Sequence, residues 1–260
     1  FSIGHSGVNG GLVIYVADDP GAHAGMVEQD SRGYARMMDL PMVEPMTVAE
    51  AHQMVPLAFE ISERTGSPVF VRSVTSIANS HAPVAVEEAV DPEDREPILE
   101  WDITKYTKAG SAIAQAQHRQ VIARLEEADE IVREMGLNEL RLAKEPGGLG
   151  IMASGSVGAY LEEGLALLGD QVVAADDVSW LRVRATTPFP AEEVRTLFDH
   201  CEVILVLEEL EPYLERETWV EARRAGFEGR IVGKLDGTLE RVGEYGVAHV
   251  LRGVTGALDL

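Results

Sequence analysis

The amino-acid sequence predicts an α/β protein built on a mainly parallel sheet. Short apolar runs, typical of buried strands, alternate with longer segments whose apolar residues recur every three or four positions, as on one face of a helix. The alternation is present in both halves of the 260-residue chain. Strands and helices that alternate at this spacing favour βαβ units. The predicted strands cover residues 10–18, 67–74, 149–155, 178–184, 202–209 and 230–235.

The predicted helices are defined by their ends as well as by their apolar faces. Thr47 opens a capping box with Glu50, and Gly66 ends that helix. Pro56 lies inside the same helix and favours a kink there. Pro190 stands in the first turn of another helix, where its fixed φ is suitable. Helices are predicted over Ser31–Met38, 47–66, Ser111–Met135, Val157–Leu168, 189–201 and 213–226.

An acidic, proline-rich segment divides the chain. Residues 82–103 are rich in Pro, Asp and Glu, which predicts an exposed boundary. The long helix Ser111–Met135 follows, and its simplest role is a bridge between two domains. We therefore predict a first domain over residues 1–90, a linker with the bridging helix over 91–146, and a second domain over 147–260.

Composition excludes several classes of function. Lys and Arg number 22 against 44 Asp and Glu, so the formal net charge is −22. A surface this acidic repels nucleic acid and anionic membranes. The single cysteine, Cys201, heads an apolar run and is predicted to be a small core residue. One cysteine excludes an internal disulfide and an iron–sulfur cluster held by four thiolates of this chain.

The start of the chain, FSIGHSGVNGG, reads like the middle of a domain. It does not begin with Met, and no basic segment followed by an apolar stretch marks a signal peptide. No apolar run approaches the roughly 18 residues that a membrane span needs. We therefore expect a cytoplasmic protein of which this chain is a fragment.

The loop after the first predicted strand has a high density of polar side chains. Asp18, Asp19 and His23 lie in its first six residues, and Glu28-Gln29-Asp30 closes it. Because sites in parallel sheets form at the carboxyl ends of strands, we interpret this loop as close to a functional site. His23 is the strongest candidate, since a neutral imidazole can donate to a substrate oxygen or a phosphate. The alternative is a polar turn in which Asp30 caps the next helix.

Two other strand ends carry candidate motifs. Ser154-Gly155-Ser156-Val157-Gly158 stands between a strand and a helix, where free N–H groups can bind phosphate; the plainer interpretation is a tight turn. Glu208 and Glu209 end the predicted strand 202–209 and Glu211 follows it, at a position where carboxylates can do acid–base work or bind metal. The plainer interpretation is that these glutamates face water or a partner. The remaining histidines are scattered without metal-ligand spacing, so no metal site is predicted.

An ordered set of motifs resembles the large subunit of indolepyruvate:ferredoxin oxidoreductases. In residues 7–72 a strand leads into ADDPG, then His23, then EQD, and a later strand ends in Arg72. The second half contains IMASG, TPFP, VLEELEP and GKLDG in the order of that family. No single motif is decisive, but the set extends over roughly residues 7–245.

The resemblance implies membership of the 2-oxoacid:ferredoxin oxidoreductases, which use thiamine diphosphate, Mg²⁺ and [4Fe-4S] clusters. They decarboxylate an arylpyruvate oxidatively to an acyl-CoA and pass the electrons to ferredoxin. The first domain would be the C-terminal part of a pyrimidine-binding domain, and the second would resemble the C-terminal domain of transketolases. By the same resemblance, Asp19, His23, Glu28 and Arg72 would lie near substrate or cofactor, and no catalytic residue is assigned.

Three features of that family are missing from this sequence. The glutamate that contacts the aminopyrimidine ring lies upstream of the resembling segment, the Gly-Asp-Gly motif with its pair of Asn does not occur, and the cluster cysteines are absent. We therefore expect this chain alone to be inactive and to bind no cofactor. A second (beta) subunit or the remaining domains would complete an oligomeric enzyme.

Two alternatives stay open at this stage. The chain could be a non-catalytic or split-gene subunit, because the cofactor motifs are absent. It could instead belong to a related oxidoreductase that acts on an aliphatic 2-oxoacid. Residues 73–79 depart from the Thr-rich stretch, second Arg and His of the family, which puts the aryl specificity in question.

Overall fold

The fold consists of two mainly parallel sheets covered by helices, in a computed structural model that describes residues 1–86, 101–169 and 172–260. The first sheet has the order β1-β3-β2-β7 and the second has the order β4-β6-β5-β8-β9. The strands are β1 Val13–Asp18, β2 Met42–Val43, β3 Val69–Val74, β4 Glu139–Arg141, β5 Leu149–Ser154, β6 Ser179–Val183, β7 Ala185–Thr187, β8 Val203–Leu207 and β9 Arg230–Val232.

Ten helices occur in the described ranges, with 3₁₀ turns over Gly155–Tyr160 and Ala175–Asp177. They are α1 Ser2–Ser6, α2 Arg32–Met37, α3 Val48–Thr65, α4 Thr75–Ala78, α5 Ile103–Tyr106, α6 Ser111–Glu134, α7 Leu161–Leu168, α8 Ala191–His200, α9 Tyr213–Ala225 and α10 Val247–Ala257. None of those helices is long and apolar enough to cross a membrane.

Strand pairing confirms the predicted fold class. β1, β3 and β2 are parallel, as are β6, β5, β8 and β9, and only β4 and β7 run antiparallel to their neighbours. β7 comes from the second half of the chain but pairs with β2, with Met42 opposite Thr187 and Val43 opposite Ala185. The two halves therefore share the first sheet.

The long helix α6 belongs to the core of the first sheet. Its Ala128, Ile131 and Val132 are buried against α3 and the β3 residues Val69 and Val71. The helix predicted as a bridge between domains thus packs as a layer on this sheet, because its apolar stripe needs a partner surface. Residues 87–100 of the predicted boundary segment lie outside the described residues, and the domain limits stay a prediction.

Helices cover both faces of the second sheet. Leu161 and Leu165 of α7 pack with Val250 and Val254 of α10 on one face. The other face is covered by α8 and α9, and Cys201 lies within that cluster as predicted. Burying a large aliphatic side chain contributes roughly 1.5–3 kcal/mol, so these layers fix where the strand ends lie.

The ends of α3 confirm two sequence signals. The Thr47 hydroxyl accepts from the Glu50 N–H at 3.2 Å, and Gly66 ends the helix with φ 64°. The Glu50 carboxylate accepts from the Met46 N–H at 2.8 Å instead of completing the box at Thr47. Pro56 lies inside the helix, which is continuous from Val48 to Thr65.

Candidate functional site

Asp19 organises the loop that follows β1. Its carboxylate accepts hydrogen bonds from the N–H groups of residues 23–25 at 2.5–3.0 Å and from the Thr75 hydroxyl at 2.6 Å. The Thr75 hydrogen bond, together with those N–H groups, lowers the pKa of Asp19 to about 2, because each donor favours the ionised form. Asp19 is thus a buried carboxylate that holds the loop in one conformation.

His23 and Glu28 connect the same loop to the second half of the chain. The His23 ring, which is 52% exposed, places Nε2 at 3.1 Å from the Glu244 carboxylate. One oxygen of Glu28 accepts from the N–H groups of Gly21 and Gly243, both at 2.7 Å. These contacts explain how the loop is placed, and they leave part of the His23 imidazole open to a ligand.

A cavity of about 340 Å³ lies at the carboxyl ends of β1 and β3. The loop forms one side and α4 with the residues after it forms the other. Its lining includes Asp18, Asp19, Gly25, Gln29, Thr75 and Asn79. The amides of Gln29 and Asn79 offer both donors and acceptors, so the cavity can bind a polar ligand.

Arg72 lies behind this cavity in the protein interior. It is 2% exposed, and its guanidinium donates to Asp18 at 2.5 Å and to Glu44 at 2.7 Å. Burial opposes its charge, but Glu44 and the neighbouring aspartates hold the pKa of Arg72 above its ordinary value. The structure therefore brings Asp19, His23 and Glu28 together in one loop and places Arg72 apart from them, connected through Asp18.

A second arginine joins the loop to the end of β8. Arg32 is buried and donates to the Asp30 carboxylate at 2.7 and 2.9 Å and to Glu208 at 2.6 Å. It also donates to the backbone carbonyls of Glu209 at 2.5 Å and Glu211 at 2.9 Å. The N-cap position of α2 is Ser31 and not Asp30, although the Asp30 carboxylate accepts the Arg32 backbone N–H at 3.3 Å. The shorter hydrogen bonds of Asp30 come from the Arg32 guanidinium.

The structure corrects the expectation that the glutamates at the end of β8 are exposed. Glu208 and Glu209 are 0% and 2% exposed, so the interpretation that they face water or a partner is wrong for both. Glu208 also accepts from two N–H groups in the first turn of α9, at 2.9 and 3.0 Å. Glu209 accepts from the Tyr245 N–H at 2.9 Å, its other oxygen has no hydrogen bond, and burial raises its pKa. Glu211 alone reaches the surface, where it pairs with Arg241.

Lys234 is a buried cation that the sequence patterns did not single out. Its ammonium donates to the Glu208 carbonyl and lies 4.6 Å from the centroid of the Tyr245 ring. Burial lowers the pKa of Lys234 to about 8, because the low-dielectric surroundings disfavour the charged amine. Two features of the sequence could have pointed to Lys234: it lies near the end of a predicted strand, and the chain has only four lysines.

The remaining candidate motifs have structural roles. Ser154–Gly158 forms the predicted tight turn, which begins a 3₁₀ segment with Gly155 at φ 62°. In the ranges that the structure covers, no group of three or more His, Cys, Asp or Glu side chains is placed to hold a metal ion.

Sequence comparison relates the whole chain to one group of enzymes. No protein-family model matches it. It is 32% identical over 259 residues to indolepyruvate oxidoreductase subunit IorA of Methanothermobacter thermautotrophicus. The IorA subunits of Archaeoglobus fulgidus and Pyrococcus abyssi are 30% and 32% identical over 261 and 237 residues. The chain is a relative of the IorA subunits. The matches cover 98%, 100% and 90% of this chain but 41%, 40% and 36% of the relatives, so the chain spans about two fifths of an IorA subunit.

Solved structures support the fold that the IorA resemblance implies. A 2-oxoglutarate:ferredoxin oxidoreductase from Magnetococcus marinus matches 99% of this chain and 50% of its own length, with a TM-score of 0.65 at 12% identity. A split gene transketolase, solved as an inactive beta4 tetramer, matches 95% of this chain and 66% of its own length, with a TM-score of 0.53 at 14% identity. At such identities the likeness shows the fold alone.

Proposed function

We propose that this chain is part of an oxidoreductase that decarboxylates arylpyruvates such as indolepyruvate to acyl-CoA and passes the electrons to ferredoxin. The observation that carries the proposal is the IorA match along 98% of the chain. The related fold of a 2-oxoglutarate:ferredoxin oxidoreductase, solved with 2-oxoglutarate, coenzyme A and succinyl-CoA bound, supports a 2-oxoacid and CoA as the small-molecule partners.

In this proposal the loop of residues 19–30 and α4 form one wall of the active site. Asp19 fixes the loop through its four hydrogen bonds, and Glu28 attaches it to Gly243. His23 then offers its half-exposed imidazole to a substrate oxygen. Arg72 is too deeply buried to touch substrate, so its proposed role is to position Asp18 from behind.

The residues of this wall do not fit a complete thiamine diphosphate site. Asp19 already accepts four hydrogen bonds, and Oδ2 of Asp18 accepts three from Ser31 and Arg72, so Oδ1 of Asp18 is the oxygen that these two carboxylates leave for Mg²⁺. In the described residues no group of three or more His, Cys, Asp or Glu side chains surrounds it to complete a metal site. We therefore propose that thiamine diphosphate, Mg²⁺ and the [4Fe-4S] clusters are held by further segments or by a beta subunit. This chain alone would be inactive and would bind none of them.

Two measurements test the proposal. Calorimetric titration with thiamine diphosphate and Mg²⁺ should show no binding to this chain alone and saturable binding to the assembled enzyme. The assembled enzyme should reduce ferredoxin with indolepyruvate and CoA faster than with 2-oxoglutarate or a branched-chain 2-oxoacid. A preference for an aliphatic acid would indicate a related oxidoreductase, and full activity without this chain would indicate a non-catalytic subunit.

A variant pair tests the role of His23. His23→Ala should lower kcat/KM of the assembled enzyme by about 100-fold, the lower range for removal of a group that acts on a substrate proton or oxygen. His118→Ala is the matched control, since His118 is also a half-exposed histidine beside a carboxylate but lies on α6. Equal effects of the two substitutions would remove His23 from the site.

A further inference from the structure

A second cavity, of about 580 Å³, lies at the end of the first sheet opposite to the loop of residues 19–30. It is bounded by the residues before β1, by Gly66 before β3, by the segment that holds α5, and by the first half of α6. Its lining includes Ser6, Val8, Thr104, Ile113, Gln120 and Arg124. Nothing in the proposed oxidoreductase function uses this cavity.

Arg124 is a half-buried cation of the cavity, whose lining also contains the charged residues Lys105 and Asp102. Its guanidinium is half-buried and donates to the backbone carbonyls of Gly4 at 2.8 Å, His5 at 3.2 Å and Gly66 at 3.4 Å. Its Nε is buried without a hydrogen bond, and no carboxylate in the described ranges pairs with it. Burial lowers the pKa of Arg124. Within the described residues, no acidic side chain compensates the guanidinium charge.

Lys108 is a second cation, which lies behind the lining and is close enough for the charge of Arg124 to act on it. Its ammonium donates to the Ser6 hydroxyl at 2.5 Å and to the Gln117 side-chain oxygen at 2.8 Å, both of which belong to residues of the lining. Partial burial and the charge of Arg124 lower the pKa of Lys108. Arginines elsewhere in this acidic chain, such as Arg64 and Arg133, pair with carboxylates. Arg124 and Lys108 instead repel each other, in a chain of net charge −22.

The remaining lining suits a ligand with one charged end. Val8, Ala112, Ile113 and Ala116 form an apolar wall, and the first turn of α6 has neither a side-chain cap nor an acidic residue. The one carboxylate of the lining, Asp102, already accepts from the N–H groups that begin α5.

We propose that this cavity binds a small molecule that carries a phosphate group. The phosphate would contact Arg124 and Lys108, which together supply charge-assisted hydrogen bonds. The start of α6 would favour the same negative charge through its free N–H groups. The uncharged part of the ligand would lie on the apolar wall, in a volume within the roughly 300–1,000 Å³ range of small-molecule sites.

Calorimetric titration of the chain with ADP at low salt tests the proposal, with adenosine as the unphosphorylated control. ADP should bind saturably and adenosine should not. Arg124→Gln should weaken ADP binding by about tenfold or more, because a charge-assisted hydrogen bond is lost. Arg119→Gln, at an exposed arginine of the same helix, should leave the affinity unchanged. Absence of ADP binding, or equal affinities for ADP and adenosine, would overturn the proposal.

A second variant separates ligand binding from folding, because Arg124 also holds the carbonyls around α1. Gln120→Glu keeps Arg124 and its contacts and places a carboxylate on the lining one helical turn before it. This carboxylate should neutralise Arg124 and repel the phosphate, so ADP binding should fall by about tenfold or more while the melting temperature does not fall. Unchanged ADP affinity in Gln120→Glu would place ADP elsewhere on the chain.

Discussion

The loop after β1 and the segment after β8 are both rich in acidic residues, but their carboxylates are stabilised in different ways. Both are acid-rich runs at the carboxyl end of a parallel strand, although β1 is partly exposed and β8 is largely buried. In the loop, Asp19 accepts backbone N–H groups and a hydroxyl, and its pKa is lowered to about 2. After β8, Glu208 is neutralised by the buried Arg32, and the half-satisfied Glu209 has a raised pKa. The sequence of an acidic strand end therefore does not show whether backbone N–H groups or a buried arginine will stabilise the carboxylate charges.

Asp30 connects the two regions. It closes the loop after β1 in sequence, yet its carboxylate lies on Arg32 and accepts from the Glu211 N–H at 3.1 Å. Asp18 holds the other end of the loop through the Ser31 N–H and Arg72. Buried ion pairs therefore hold both ends of the loop, and its middle is exposed. We expect substitutions at the two ends to change the unfolding free energy more than substitutions in the middle.

Removing Arg32 should produce the largest effect. Arg32→Met would leave Asp30 and Glu208 buried without their cation, which costs about 3–5 kcal/mol of unfolding free energy in comparable buried pairs. Urea denaturation at pH 7 measures the loss. Arg36→Met is the matched control on the same helix, since Arg36 pairs with Glu217 in a partly exposed position and should cost about 0–1 kcal/mol. Similar costs for both arginines would contradict the contrast between buried and exposed pairs.

Lys234 should make the stability of the buried region depend on pH in the alkaline range. Its pKa falls from 10.5 to about 8 on folding, so the folded chain releases this proton first as the pH rises. Stability should therefore increase between about pH 8 and 10.5, by about 3 kcal/mol if the full shift is expressed. The difference in unfolding free energy between wild type and Lys234→Met, followed by urea denaturation from pH 7.5 to 10, should grow by that amount in favour of wild type. If the difference in unfolding free energy does not change with pH, the Lys234 amine is not desolvated in the folded chain.

Asp19 should respond at the opposite end of the pH scale. Its pKa is 3.8 in an ordinary setting and about 2 in the fold, so the ionised carboxylate stabilises the folded chain above pH 4. That contribution should disappear as the pH falls through about 2. Asp19→Asn should therefore melt below wild type at pH 7 and approach it as the pH falls from 4 toward 2. A constant difference in melting temperature across that range would mean that the Asp19 charge does not hold the loop.

The sequence predicted much of the fold because six strands and the longer helices have regular apolar patterns. The strands β1, β3, β5, β6, β8 and β9 and the cap residues Thr47 and Gly66 all follow from local patterns. β2, β4 and β7 were missed because they have only two or three residues. β2 lies between β3 and β7, and β4 pairs with β6. The last helix, α10, did carry a signal in the spacing of Val250, Val254 and Ala257, which are all buried.

The site could be predicted only in part, since its partners are distant in sequence. The loop with Asp19 and His23 is local, and a strand end with dense polar residues pointed to it. Its contacts to Glu208 and Gly243, which are 176 and 215 positions away, and to Glu244 are visible only in the structure. The acidic composition led to a wrong prediction, namely that the glutamates after β8 are exposed. Glu208 is buried because Arg32, from the first half of the chain, neutralises it.

The smallest effect should come from the contact between His23 and Glu244. Both side chains are partly exposed, so water weakens the contact, which should contribute about 0–1 kcal/mol. Glu244→Gln should therefore leave the unfolding free energy almost unchanged in urea denaturation at pH 7, and high salt should remove any remaining difference. Such an outcome would mean that the loop is held by its buried ends and that the His23 imidazole can leave Glu244 for a ligand at little cost. A loss above about 2 kcal/mol would be outside the range of exposed pairs and would make Glu244 part of the anchoring network instead.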